Sequence, residues 1–437
     1  MIVLAFLINI VSLILSFCII RYELLKKFSI MLWMALNLLF FVKIPLFVDS
    51  LLGLFLTEQQ LIDLLMQYNL NPINDFNALS FNTIANASLF AFLFDVIMFL
   101  FFYLLVKPLR YEKLAVAKYE FFNARYYIIF AYLGLICFAL NYGLSFANAG
   151  LDFRGSQLGR QDIFYKIILI LYLFFNSAAA AGAWLMLRDK KWLQFIILAA
   201  PYIIIMILTL SKSLIFAFVG MTLLFLISKI TLLFQAHSGI VKKIVMVLVL
   251  FITILVGLRF VVGIRHNSTE YLYYPLWRDL SVQDLYYTFY DQQVSTEGQG
   301  SLVLWSYFYP LNRKEFHGEL NEPSTLLANV RFRAGWGNLH PTLYGWFFID
   351  MKWFGVFMAI WLALILALCE YLRYGLSSYK MGTMVLAFEC GFVSIAARGA
   401  LAYAFTTTVY SFILLAIILL FFKLFNFSWN AQNETAS

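Results

Sequence analysis

Eleven apolar stretches, each close to the length that crosses a bilayer, dominate this 437-residue sequence. The hydrocarbon core of a membrane is about 30 Å thick, and a helix of about 20 residues spans it. The stretches are 2–20, 29–47, 86–106, 126–147, 164–187, 193–210, 213–228, 244–263, 343–372, 382–397 and 402–422. Charged residues make up 12% of the chain, about half the share in a soluble domain. The sequence therefore predicts an all-α, polytopic membrane protein with about eleven transmembrane helices.

The positions of lysine and arginine predict the orientation of these helices. Cytoplasmic loops of membrane proteins carry an excess of both residues. With the N-terminus outside, every short inner loop is basic, whereas the outer segment 48–85 has no Lys or Arg. The C-terminus is then cytoplasmic. The basic inner loops account for much of the net charge of +8, so no nucleic-acid partner is expected. No basic region precedes the first apolar stretch, which predicts a retained helix instead of a cleaved signal peptide.

The sequence divides into helices one to eight (1–263), a large outer loop (264–342), and helices nine to eleven with a cytoplasmic tail (343–437). A loop of this length is usually functional. Within it, a helix over 281–293 would place four apolar side chains on one face, those of Val282, Leu285, Tyr286 and Phe289. A second outer helix is predicted over 57–68, with Leu61, Leu64, Leu65 and Tyr68 on one side.

Isolated cations lie next to several outer helix ends, where the positive-inside rule disfavours them. They are Lys212, Arg259, Arg265, Arg398, Arg331, Arg333, Arg154 and Arg160. Cations gathered at one membrane face suit an anionic lipid headgroup, and arginine offers a pyrophosphate two parallel donors. The alternative is that each one snorkels or pairs with a nearby acid, as Arg278 could with Asp279.

Residues 335–345, which read Gly-Trp-Gly-Asn-Leu-His-Pro-Thr-Leu-Tyr-Gly, lead into the ninth helix. The helix start would offer free N–H groups to an anion. His340 could serve as a general base for a sugar hydroxyl, or it could simply cap the helix. Aromatic side chains beside acids, such as Tyr290 and Trp336 with Asp279, suit the binding of carbohydrate rings, and the same mixture is also typical of an ordinary interfacial loop.

The sequence lacks the motifs of metal and nucleotide sites, so no cofactor is expected. It contains no D-x-D pair, H-x-x-x-H pair or phosphate-binding glycine loop, and its four cysteines lie in apolar stretches, which predicts ordinary buried side chains. Polar residues inside apolar stretches could bridge helices or line a cavity. They are Lys43, Asp95, Asn141, Asn176 and Glu389. Two runs of small residues, 177–181 and 396–400, would allow close helix packing.

In this order of elements, the chain resembles the O-antigen polymerase (Wzy) family. The resemblance rests on about eleven helices, the large loop before the ninth, the Ser211-Lys212-Ser213 hairpin, the Arg398-Gly399 hairpin, and the passage from His340 through Gly345, Asp350 and Gly355. Lys212 stands where the family usually has an arginine. Either Arg259 or Arg265 matches the cation beyond helix eight, and His340 resembles the histidine of the related O-antigen ligases.

The resemblance implies a metal-independent glycosyltransferase of the C type in the bacterial inner membrane. It would act on undecaprenyl-pyrophosphate-linked oligosaccharides at the periplasmic face. There it would polymerise repeat units, with His340, Arg265 and Arg398 as catalytic residues and a loop carboxylate such as Asp279 or Asp291 as the alternative base. The resemblance also allows three kinds of partner: membrane lipids, a chain-length regulator and a flippase. The alternatives are an O-antigen ligase that transfers the glycan to lipid A core, and a flippase or transporter for the same lipids.

Overall fold

The computed structural model describes residues 1–27, 29–67, 80–109, 122–142, 163–209, 216–233, 283–290, 295, 342–377, 381–397 and 401–424. Within these residues every regular element is helical, as the sequence predicts. The α-helices are α1 (Ile2–Tyr22), α2 (Ile30–Leu38), α3 (Ile44–Leu52), α4 (Glu58–Gln67), α5 (Phe81–Val106), α6 (Ala124–Tyr142), α7 (Ile163–Arg188), α8 (Trp192–Thr209), α9 (Phe216–Leu233), α10 (Gln283–Tyr290), α11 (Thr342–Met351), α12 (Met358–Ser377), α13 (Gly382–Ala396) and α14 (Leu401–Leu424). Two π-helical turns, Glu23–Lys27 and Leu39–Lys43, and one 3-10 turn, Lys352–Phe357, accompany them.

The side chains of α1 show that the molecule is built for a membrane. Large apolar side chains point outward, including Val3, Leu7 and Ile14, while Asn9 and Ser16 are buried. A surface helix of a soluble protein has the opposite arrangement. Among the described residues, five stretches are long and apolar enough to cross a bilayer: Ile2–Leu25, Ile30–Leu52, Phe81–Val106, Ile167–Arg188 and Thr342–Leu376. The protein is a helical membrane protein, and the predicted span 244–263 lies outside the described residues.

The second predicted span contains a widened turn near its middle. The π-helical turn that ends at Lys43 joins α2 to α3, and the helix continues to Leu52, beyond the predicted end at 47. Pro45 lies in the first turn of α3. Its ring clashes with the carbonyl group four residues earlier in a regular α-helix, and a wider turn accommodates it. Lys43, the last residue of this turn, is buried.

The predicted ninth span, 343–372, lies within the apolar stretch Thr342–Leu376, but it is not one continuous helix, because the chain forms α11, a 3-10 turn and then α12. A Cβ atom added to Gly355 would lie 2.3 Å from the carbonyl oxygen of Phe347. The chain therefore folds back tightly here, and the close approach requires glycine. Every residue from Thr342 to Asp350 is buried, so α11 is a short internal helix. Hydropathy alone could not detect this reversal, since both pieces are apolar.

The centre of the described bundle is α13, which packs against α2, α7, α9, α12 and α14. All its residues from Thr383 to Ala396 are buried. Small residues permit close packing beside it, since Ala178–Ala181 of α7 have no exposed surface. At Gly182 an added Cβ would lie 2.6 Å from the Cβ of Tyr127 on α6. The small-residue run over 177–181 is therefore a helix-packing surface, as predicted.

Candidate functional site

One of the residues predicted for the site, Tyr290, lies in the part of the chain that the structure describes. It ends α10 and is 48% exposed, so its ring is free to meet a ligand. The other predicted site residues lie outside the described residues: His340, Arg265, Arg398, Lys212, Arg259, Arg331, Arg333, Arg154, Arg160, Asp279 and Trp336. For those positions the structure shows where the neighbouring helices begin and end.

Two described helix ends, which lie next to His340 and Arg398 in the sequence, are hydrogen-bonded to each other. The backbone N–H of Leu343, at the start of α11, donates to the carbonyl oxygen of Ala397, just beyond α13, at 3.3 Å. In the sequence, Leu343 follows His340 by three residues, and Ala397 immediately precedes Arg398. The described helix ends nearest in sequence to two predicted catalytic positions therefore adjoin each other.

The start of α11 is strained and holds two polar groups that have no hydrogen-bond partner among the described residues. Thr342 has φ of 65°, a left-handed backbone conformation that is an outlier for a β-branched residue and is common at functional sites. Its side-chain oxygen is buried and makes no hydrogen bond to any described residue, and the same holds for the indole nitrogen of Trp346. The two residues are four positions apart, so they share one face of α11. That face offers a hydroxyl and an N–H group beside the junction with Ala397.

The loop helix α10 is fastened to the membrane helices beneath it. Leu285, Tyr286 and Phe289 are buried, as the sequence predicts for this face, and α10 packs against α5 and α11. The ring of Phe289 stacks on that of Phe348 in α11, with centroids 3.9 Å apart. The hydroxyl of Tyr286 donates to Oδ2 of Asp49 in α3 at 2.6 Å. Burial raises the pKa of Tyr286 well above its usual range and Asp49 raises it further, so the hydroxyl remains a donor.

A buried ion pair holds α11 to the bundle from the other side. Lys43 Nζ lies 2.6 Å from Asp95 Oδ2 and also donates to Ser16 Oγ of α1 at 2.6 Å. The hydroxyl of Tyr344, on α11, donates to Asp95 Oδ1 at 2.8 Å. The ammonium nitrogen of Lys43 lies 5.4 Å from the centroid of the Phe99 ring. Four helical segments therefore meet at one charge pair, and α11 is one of them.

The other predicted intramembrane polar residues have different roles. The hydroxyl of Tyr202 donates to the backbone oxygen of Asn176, in α7, at 2.5 Å. Asn176 also lines a cleft between α7, α9, α13 and α14. Around this cleft are the hydroxyl side chains of Ser177, Thr407, Thr408 and Ser411. Lys43, Asp95 and Asn176 thus bridge helices or line a cleft, as predicted. Glu389 is buried, and its carboxyl oxygens have no hydrogen-bond partner in the described segments.

Sequence reasoning did not identify Ser16, Thr342, Tyr344 or Trp346 as polar contacts or open donors. For Ser16 a signal was present, because Asn9, Ser12 and Ser16 recur at helical spacing within an apolar stretch. For Trp346 no such signal exists, since a tryptophan without an indole partner looks like any core aromatic residue. Among the described residues no group of three or more His, Cys, Asp or Glu could hold a metal ion, and metal independence stays a prediction.

We expect Tyr286→Phe to lower the melting temperature of the purified protein. The change removes a buried hydrogen bond to Asp49 and leaves a carboxyl oxygen without its donor, which costs about 1–3 kcal/mol. The matched control is Tyr290→Phe, which removes a hydroxyl from a half-exposed residue of the same helix. Thermal unfolding followed by tryptophan fluorescence in detergent compares the two. Equal melting temperatures for both variants would show that Tyr286 does not fasten the loop helix.

Comparisons with known proteins identify no relative. No protein-family model matches the sequence, and no curated protein or solved structure matches it.

Proposed function

We propose that this membrane protein polymerises oligosaccharide repeat units carried on undecaprenyl pyrophosphate. The observation that carries the proposal is the hydrogen bond between Leu343 and Ala397. It brings together the helix ends from which the segments bearing His340 and Arg398 continue. A base for the acceptor and a cation for the leaving group are the two functions that such a reaction needs in one place.

In the proposed reaction, the bond between the anomeric carbon and the pyrophosphate oxygen of the donor breaks. Its electron pair leaves with the pyrophosphate, whose growing charge Arg265 and Arg398 stabilise. The acceptor hydroxyl oxygen forms the new bond to the same carbon. Its proton passes to His340, or to a loop carboxylate such as Asp279 or Asp291. The remaining outer cations, among them Lys212, hold the two lipid headgroups.

The outer loop would bind the saccharides, and the anchoring of α10 supports that role. Three buried side chains and the Tyr286–Asp49 hydrogen bond hold this helix against α3, α5 and α11. Its last residue, Tyr290, keeps nearly half of its surface exposed. An aromatic ring on a fixed helix offers a flat apolar surface for a sugar ring. A rigidly held site of this kind positions the acceptor better than a mobile loop does.

The proposed setting is the bacterial inner membrane, with the N-terminus and the large loop in the periplasm and the C-terminus in the cytoplasm. A flippase would supply the lipid-linked repeat units at the outer leaflet, because the repeats must be present there before they are joined. A chain-length regulator is a further proposed partner. No nucleic acid is expected to bind.

Chain extension by the purified protein tests the proposal. The protein, reconstituted in vesicles with lipid-linked repeat units and a chelator, should convert them into a ladder of longer lipid-linked chains. The gel would show no ladder with the Arg398→Ala variant. Transfer of a single chain to added lipid A core, without a ladder, would identify a ligase instead. Unchanged repeat units in every reaction would contradict both enzymes.

A transporter of the same lipids is the second candidate, because Lys43 and Asp95 form a charge pair inside the membrane. Ionisable residues in membrane helices often mark transport pathways. A transporter would move fluorescent lipid-linked repeats from one leaflet to the other without changing their mass. Leaflet accessibility to a membrane-impermeant quencher measures that movement. Movement without covalent extension would favour the transporter over the polymerase.

A further inference from the structure

Three carboxyl groups lie buried together where α1, α2, α12 and α13 meet. They belong to Glu23, Glu370 and Glu389, each at most 1% exposed. Glu370 is the middle one, because its charge acts on both Glu23 and Glu389. Arg373, one turn after Glu370 on α12, is the cation whose charge also reaches Glu389. Carboxylates are costly to bury unless donors or cations compensate their charge, so the partners of each group decide its state.

Glu23 and Glu370 both have donors. Oε2 of Glu23 accepts the backbone N–H of Ser29 at 2.5 Å and the hydroxyl of Ser29 at 2.8 Å, while Oε1 accepts the hydroxyl of Tyr103 at 2.6 Å. Glu370 Oε1 accepts the backbone N–H of Ile30 at 2.6 Å, and its other oxygen is bound by the Arg373 guanidinium. The two backbone groups begin α2, where the helix dipole favours negative charge.

Glu389 has neither kind of compensation. Both of its carboxyl oxygens are buried and make no hydrogen bond within the part of the chain that the structure describes. It lies in α13, which five helices of the described bundle surround. The charged groups that act on it are Glu370, which repels a second negative charge, and Arg373, which is already engaged by Glu370. An ionised Glu389 would therefore be a buried charge that the described residues do not compensate, and such a charge strongly destabilises a fold.

We propose that Glu389 is a proton-binding site of the membrane domain and carries a proton in the state that the structure describes. A proton removes the charge without any other ligand, whereas a metal ion would need oxygen atoms arranged around it. Loss of this proton would place a second negative charge near that of Glu370. The proposal is independent of the polymerase assignment.

Infrared difference spectroscopy of the whole protein tests this proposal. The wild-type spectrum minus that of Glu389→Gln, both in nanodiscs at neutral pH, should show the C=O stretch of one protonated carboxyl group. Because this group makes no hydrogen bond, its band should lie at the high-frequency end of the carboxyl range and shift in D₂O. A difference spectrum that shows only carboxylate bands would overturn the proposal. Carboxylate bands that change on adding sodium would overturn it in favour of a metal cation.

Stability measurements provide a second, independent test. Glutamine has the shape of a neutral glutamic acid, so Glu389→Gln should leave the melting temperature unchanged. The matched control Glu370→Gln removes the charge that pairs with Arg373 and caps Ile30, and should lower it. If glutamine at 389 prevents expression, Glu389→Met replaces it, because an apolar side chain of similar volume also lacks charge. A methionine variant that melts as low as Glu370→Gln would contradict a neutral Glu389.

Discussion

Lys43→Met is expected to destabilise the protein more than any other single change to the polar contacts of the described helices. The substitution leaves Asp95 without its cation at a site with no exposed surface. Removal of one partner from a buried ion pair costs about 3–5 kcal/mol, because the other charge stays buried and unpaired. That is a large fraction of the total stability of a typical domain. Fluorescence-detected size-exclusion chromatography should show little folded protein, with a strongly lowered melting temperature for what remains.

The double variant Lys43→Met with Asp95→Asn separates the cost of a lone charge from the loss of packing. Asparagine keeps an acceptor for the Tyr344 hydroxyl but carries no charge, so folding should largely recover. The matched control is Lys229→Met, which also removes a lysine set over a phenylalanine ring, that of Phe225 at 5.5 Å. Lys229 is exposed, and its loss should change little. Equal effects of the two lysine substitutions would mean that the buried pair has no special part in folding.

Arg398→Ala and Arg265→Ala, made singly, are expected to abolish long-chain polysaccharide while single-unit products remain. In the proposed reaction each arginine stabilises the departing pyrophosphate. Loss of one such donor typically lowers the rate about 10²–10³-fold. Successive additions multiply that loss, so long chains disappear before short ones do. Gel separation of surface glycans from cells that express each variant measures the chain length, and immunoblots confirm equal protein levels.

Arg188→Ala is the matched control for these arginine variants. Arg188 ends α7 and is paired with Asp189 at 2.8 Å, with both side chains partly exposed. Burial raises the pKa of Asp189, but the hydrogen bond and charge of Arg188, together with Lys191, hold it below its usual range. A partly exposed ion pair contributes little to stability, and Arg188 is predicted on the cytoplasmic side. Normal chain ladders in both outer arginine variants would refute their proposed roles, whatever the control shows.

The described helices were predictable wherever apolar length alone decides the structure. The first, second and third apolar stretches correspond to α1, to α2 with α3, and to α5. Two departures have local causes that an average over many residues conceals. Pro45 favours a wider turn ahead of it, and Gly355 lets the chain pass within contact of the Phe347 backbone. Hydropathy averages treat both positions as ordinary members of an apolar run.

The candidate site was less predictable, because its contacts join residues that are distant along the chain. Lys43 and Asp95 are each conspicuous as charges in apolar stretches, but nothing in the sequence pairs them. Tyr344 and Asp95 are 249 positions apart. The outer cations were identified by the membrane sides on which they are disfavoured, a property that needs no structure. Their mutual arrangement needs tertiary contacts, of which the Leu343–Ala397 hydrogen bond is one.

The outward and inward faces of α1 should tolerate different substitutions. Val3, Leu7, Val11 and Ile14 project outward, where any side chain that dissolves in hydrocarbon serves equally well. The Asn9 side-chain amide donates to the Leu46 carbonyl at 2.9 Å and to Ser50 Oγ at 3.1 Å. Ser16 Oγ accepts a hydrogen bond from Lys43 Nζ. These inward positions are defined by shape and hydrogen bonding. In homologous sequences, the outward positions should therefore interchange freely among Leu, Ile, Val and Phe. The inward polar positions should change only together with their partners on α3 and on the π-helical turn.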